Sequence, residues 1–239
     1  MPTRILVLCL SLVLSAAADA QPKQRIDKAA DLPRFSYTLD GKVEDLLRDD
    51  AKFKPFAAAV RRDVESVLAK YDIADKSSER ELLAQLVQLD MLEGRYDEAL
   101  VRVAQVKALE EKPSEKLLSG ITARAIVAGV HASADRTSPE YRAAVATALR
   151  NELAPLPYDV IANDAREFKA GAELLGEGRV IGNARELLQP SVDKNGSLSS
   201  DLAPGLIRSK YVLTFLLPLK STFVDTWGEY LAAHKQEAK

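Results

Sequence analysis

Apolar residues return at every third or fourth position along most of this chain, the period of a helix with one buried face. The clearest run is Leu82, Leu83, Leu86, Leu89 and Leu92, which share one helical face. Gly94 interrupts it, and Tyr96, Ala99, Leu100, Val103, Val106 and Leu109 restart the period. A glycine at the break can take the left-handed conformation that ends a helix, which a residue with a Cβ takes only at a cost. The link is so short that the two helices must fold back antiparallel and bury their apolar faces on each other. Ala99 is small where the backbones come closest, and Pro113 closes the unit. Gly94, Tyr96 and Ala99 are thus the structural turn of the chain.

The same period recurs on both sides. Val43 to Arg48 predicts a short helix, and Pro55 a helix start, followed by the stripe Phe56, Val60, Val64, Val67, Leu68 and Tyr71. Asp72 to Ser77 reads as a loop, and Ser78 with Glu81 as a capping box leading into the hairpin. After Pro113, Ser114 and Glu115 suit a helix start, and Leu117, Leu118, Ile121, Ala125 and Ala128 form its face up to a break at Gly129 to Asp135. Ser138-Pro139-Glu140 opens a helix with Tyr141, Val145, Ala148, Leu149 and Leu153 inward, stopped by Pro155 and Pro157. Ile161, Ala165, Phe168, Ala172 and Leu175 line the next, broken by Gly176-Glu177-Gly178. Val180 to Leu188 reads as a short helix closed by Pro190, and Ser191 to Pro204 as a loop. Tyr211 to Leu219, framed by Lys210 and Lys220, reads as a buried helix kinked by Pro218, with Phe223, Trp227, Tyr230 and Leu231 continuing its stripe. Only Phe35, Tyr37 and Leu39 alternate as an extended segment does, ahead of a turn at Asp40-Gly41. The expectation is an all-α fold of about eight or nine helices, an irregular stack of antiparallel helical hairpins with no sheet.

The first twenty residues follow another logic. Arg4 is a positive start, Ile5 to Leu14 an apolar run, and Ala16, Ala17, Ala18, Asp19 and Ala20 a small-residue stretch. This is the pattern of a secretory signal peptide, with cleavage after Ala20 or after Ala18. The run is too short to span a bilayer. Residues 21–34 read as a polar leader and 35–239 as the helical domain, with a possible subdivision near 191–204. Cys9 is the one cysteine, and no small residue precedes it as a lipoprotein signal requires. A chain cleaved there has no disulfide, thiolate metal site or cysteine nucleophile. The predicted place is the periplasm or the exterior.

Composition narrows the function. The chain is 47% hydrophobic and 28% charged, with net charge −2. That balance offers no electrostatic case for nucleic acid. Candidate chemistry is sparse. His131 and His234 are the only histidines, and neither has ligand-spaced company. Asp193-Lys194-Asn195-Gly196-Ser197 resembles the start of a calcium loop, but Pro204 stands where a bidentate glutamate is needed. Gly176, Gly178 and Gly182 miss the dinucleotide spacing. Asp49-Asp50, Asp63-Glu65 and Glu110-Glu111 read as solvated faces or helix ends. No serine elbow occurs, so no catalytic residue, cofactor or metal ligand is predicted.

Two resemblances add to this reading. EGRYDEAL, with Gly94, Tyr96, Ala99 and Leu100, resembles the turn of a tetratricopeptide repeat over about one repeat. Val87 stands where that family has a small residue and Asp90 where it has an aromatic. FSYTLDGKVEDLLRDDAKFKPFAAAVRRDVESVLAKYDI, with LDMLEGRYDEAL, KPSEKLLSG and ELAPLPYDVI, resembles the N-terminal helical region of secreted bacterial subtilisin-like peptidases. That resemblance implies a non-catalytic accessory region, since none of the peptidase's Asp, His or Ser motifs is present. The expected function is an exported helical interaction module with a protein or peptide partner in the envelope. The alternative is the accessory region of a secreted serine peptidase, stand-alone or truncated. A hydrolase with an unconventional carboxylate site is a third possibility.

Overall fold

Asp49 starts the first long helix. A computed structural model of the chain describes residues 22–109 and 118–235, so the signal pattern, Glu110-Glu111, Pro113, Ser114, Glu115 and Leu117 lie outside the described residues. Val43–Arg48 forms α1. Asp49 then accepts from the amides of Ala51 and Lys52 and opens α2, Asp50–Lys70. Pro55 therefore lies inside α2, not at its start. The Asp49 cap sets the start because it satisfies orphan amides, and the helix carries Pro55 as its sixth residue at the cost of the hydrogen bond that its missing N–H would give to the Ala51 carbonyl.

The hairpin forms as its periodicity predicts. α3 is Lys76–Leu92 and α4 is Tyr96–Ala108. Gly94 has φ +76°, and its amide and that of Arg95 return to the carbonyls of Met91 and Asp90. That paired closure satisfies carbonyls at the helix end. The cap of α3 is Asp75, not Ser78 with Glu81. Its carboxylate accepts from the Ser77 amide at 3.2 Å and from Ser78 Oγ at 2.6 Å.

After the hairpin the helices are α5 (Leu118–Ala132), α6 (Pro139–Leu153), α7 (Tyr158–Leu174), α8 (Glu177–Asn195), α9 (Ala203–Tyr211) and α10 (Lys220–His234). α5 ends at Ala132, inside the break predicted at Gly129 to Asp135, and Gly129 itself is still helical, a point of close contact with α6. Ser138 caps α6 by accepting from the Tyr141 amide at 3.1 Å, with Pro139 in the first turn. α8 runs through Gly178, Gly182 and Pro190, so the predicted stop at Pro190 is overturned. The helix ends at Gly196, whose φ of +63° makes it the left-handed terminator. Asp193 and Asn195 are thus the last turn of a helix, not a calcium loop, and 191–204 holds a helix end, a strand and the start of α9.

Between α9 and α10 the backbone widens into a π turn over Val212–Leu216, closed by Leu217 N donating to Val212 O at 2.9 Å. Pro218 follows, and the helix restarts at Lys220. A proline cannot donate, and its ring crowds the carbonyl four residues back, so the predicted kink is a break with a wide turn before it.

Two three-residue ladders depart from the expectation of no sheet. β1 (Gln24–Ile26) pairs in parallel with β3 (Tyr71–Ile73), which replaces part of the predicted loop at 72–77. β2 (Ser36–Thr38) pairs antiparallel with β4 (Ser197–Ser199). They are local clasps on an all-α fold.

Apolar side chains gather in two clusters. One joins α1 and α2 to α8 and α9, with Tyr37, Phe53, Phe56 and Leu198 among its members. The other joins α5, α6 and α7 to the π turn and α10, around Ile126, Leu149, Phe215 and Trp227. α3 serves both, placing Leu86 and Leu89 in the first and Val87 and Met91 in the second.

Candidate functional site

The turn residues predicted from sequence occupy structural places. Ala99 is fully buried against the second cluster. The Tyr96 hydroxyl accepts a hydrogen bond from Arg136, whose guanidinium also lies 5.0 Å from the Phe215 ring centre. The His131 ring meets Tyr96 edge-on, and its Nε2 is 3.8 Å from Asp97 Oδ1. His234 stacks on Tyr230, with Nδ1 2.8 Å from the Tyr230 carbonyl oxygen. Among the described residues no three His, Cys, Asp or Glu side chains converge as a metal site. No described helix is long and apolar enough to cross a membrane.

A buried charge network lies outside the sequence expectations. Asp90 is completely shielded from solvent. Its Oδ1 accepts from Arg61 Nη1 at 2.7 Å and from Arg95 Nη2 at 2.9 Å. Arg102 Nε approaches Oδ2 to 2.7 Å as an ion pair, without the alignment of a hydrogen bond. Arg61 also pairs with Glu93 at 2.9 Å, and Arg102 with Glu65 at 2.8 Å. Glu65 is therefore engaged and not merely solvated surface. Burial pushes the Asp90 carboxyl above its ordinary value, while Arg61 and Arg102 pull against that shift. Three guanidiniums face three carboxylates, so no charge is left over for a ligand. The network clamps α2 to both arms of the hairpin. One sequence signal points to it: Asp90 falls in an otherwise apolar stretch.

Lys210 is also buried. Its Nζ donates to the Leu47 carbonyl at 2.7 Å and pairs with Asp50. It closes the C-terminal end of α1, while Gln189 Oε1 accepts from the Val43 amide at 2.8 Å at the other end. The pair of framing lysines expected from sequence is thus one buried cap and one partner of the Leu175 carbonyl, Lys220.

One concavity lies between the leader, α2, α3 and the start of α9, with a volume of about 290 Å³. Val60, Val64, Val67 and Leu82 line its apolar part. Leu32 to Phe35 form one wall and Ser200 to Pro204 another. Arg34, Glu81, Gln85 and Asp201 add polar groups, none with a side-chain partner among the described residues. Ser78 and Ser200 are already engaged, the first with Asp75 and the second with the Phe35 amide. The chemistry on offer is apolar contact with directional polar contacts around it, which suits binding. Two more open clefts, of about 610 and 520 Å³, lie beside Leu213 and beside Arg102. No protein-family model, curated protein or solved structure matches this chain.

Proposed function

We propose that this chain is an exported helical interaction module without catalytic activity of its own. Its groove between the leader, α2, α3 and α9 receives a short segment of a partner protein in the envelope. The observation that carries the reading is the pairing of an apolar floor, Val60, Val64, Val67 and Leu82, with four polar side chains that have no partner among the described residues. Such a groove takes an apolar side chain while the polar groups hold main-chain amides. The export pattern of residues 1–20 supports the place, and the tetratricopeptide-like turn supports the type of scaffold.

The test is selection of peptides on the purified chain, followed by titration against Leu82→Lys. Binding that weakens at least about tenfold in the variant supports the groove. Peptides that bind both proteins equally, or no selected peptide at all, overturn it.

The string resemblance to subtilisin-like peptidases favours a second reading, an accessory region of such an enzyme. An in-frame or frameshifted peptidase domain in the DNA after codon 239 supports it. An unrelated gene there removes it.

A further inference from the structure

We propose that residues 24–34 are a releasable strap, held so lightly that it can leave the groove it walls while the rest of the fold stays intact. The inference rests on the groove reading for its purpose and on the following contacts for its mechanism. From residue 22 to residue 36, Ile26 is the single buried side chain. Ile26 belongs to neither large apolar cluster. The strap is otherwise tied by the three-residue parallel ladder to β3, by Ala74 N donating to Ile26 O at 2.9 Å, and by exposed Lys23 reaching Leu68 O. Short two-stranded pairings are marginal on their own, and parallel ones are the weaker kind. The Arg25–Asp27 ion pair lies within the strap, and across the ladder Arg25 is drawn to Asp72 only as an exposed charge to an exposed charge, a weak tie in water.

What the strap covers is held by other means. α2, which supplies Val60, Val64 and Val67, is fixed by the Asp49 cap, by Phe53 and Phe56 in the first cluster, and by Arg61 in the network with Asp90. The strap also has a natural pivot. Phe35 N donates to Ser200 Oγ at 3.1 Å, Ser200 N donates to Phe35 O at 2.9 Å, and the next apolar residue, Tyr37, is buried. Release therefore stops at Phe35. It removes the wall formed by Leu32 to Arg34 and opens the groove to a longer partner segment.

Amide hydrogen exchange on the chain without any partner tests this. The Ala74 amide reports the strap, because its acceptor is the Ile26 carbonyl. It exchanges at least about 100-fold faster than the amides of Leu86 and Leu89 if release is local. Ile26→Ala then speeds Ala74 exchange at least about tenfold and leaves Leu86 and Leu89 unchanged. Equal rates for all three amides, or a variant that accelerates them together, overturn the strap. No partner is present, so loss of the groove reading and loss of the strap are separate results.

Discussion

Arg61 donates to Asp90 across 2.7 Å with both side chains almost wholly withdrawn from water. The pair sits where α2 meets the hairpin, and Arg95 and Arg102 complete the cage around the same carboxylate. Removing Asp90 takes away the one fully buried counter-charge that Arg61, Arg95 and Arg102 share, and leaves them only the more exposed Glu65 and Glu93. Asp90→Ala is expected to lower unfolding stability by about 3–5 kcal/mol. Glu229→Ala, in the exposed Arg150 pair, is expected to cost less than about 1 kcal/mol. Urea denaturation of both variants checks the contrast, and equal midpoints would mean the cage contributes nothing.

Gly94 tests the turn in isolation. A Cβ there meets no atom within 4 Å, so any cost comes from its positive φ alone. Gly94→Val is expected to cost about 1–2 kcal/mol, and Gly94→Asn less, because asparagine tolerates the left-handed region. Thermal midpoints that fall equally for both would point to a steric cause instead.

Gly129 is the opposite case. Its conformation is helical, but a Cβ would stand 2.4 Å from Val145 Cγ2 and 2.8 Å from Tyr141 Cε2. Gly129→Ala is expected to destabilise by about 1–3 kcal/mol through overpacking, despite the better helix propensity of alanine. Val145→Ala in the same chain should recover part of that loss. A Gly129→Ala variant more stable than the parent would show that α5 and α6 have room to separate.

The same two glycines show what is legible in the sequence. Gly94 sits between two complete periodic runs, so its role follows from local pattern. Gly129 looks like a stop, because its reason for being small is a neighbouring helix that local pattern does not reveal. Caps divide in the same way. Ser138 can be read from its neighbours, whereas Asp49 and Asp75 each displace a plausible local rival, Pro55 and Ser78. Pro190 reads as a breaker, yet α8 carries it through to Asn195 while Val192 packs in the first cluster. The groove is not legible at all. Its walls come from the leader, two helices and the 200–204 turn, brought together by ladders of three residues that leave almost no periodic trace.

Lys210 gives a test of the long-range caps. Lys210→Met keeps the stem and removes the donor to Leu47 O. The expected loss is about 1–3 kcal/mol, the cost of leaving a buried carbonyl without a partner. Chemical denaturation measures it, and an unchanged midpoint would mean water reaches that carbonyl.

Alkaline titration examines the buried tyrosines. Burial raises the hydroxyl pKa of Tyr37, Tyr141 and Tyr211 above the ordinary value, with Asp63 adding to the shift at Tyr37. In the unfolded chain a tyrosine titrates near about pH 10. Below that value both states hold the proton, and the stabilisation is fully present. As pH rises past it, the unfolded chain releases protons that the folded chain still keeps. The unfolded state then binds fewer protons, so stability falls with rising pH. The loss continues until the folded hydroxyls titrate. Tyrosinate absorbance is therefore expected to gain a late component that rises together with loss of helical ellipticity. Complete ionisation with the ellipticity intact would mean that these hydroxyls reach solvent in the folded protein, and the packing around Tyr211 would have to be looser than its burial implies.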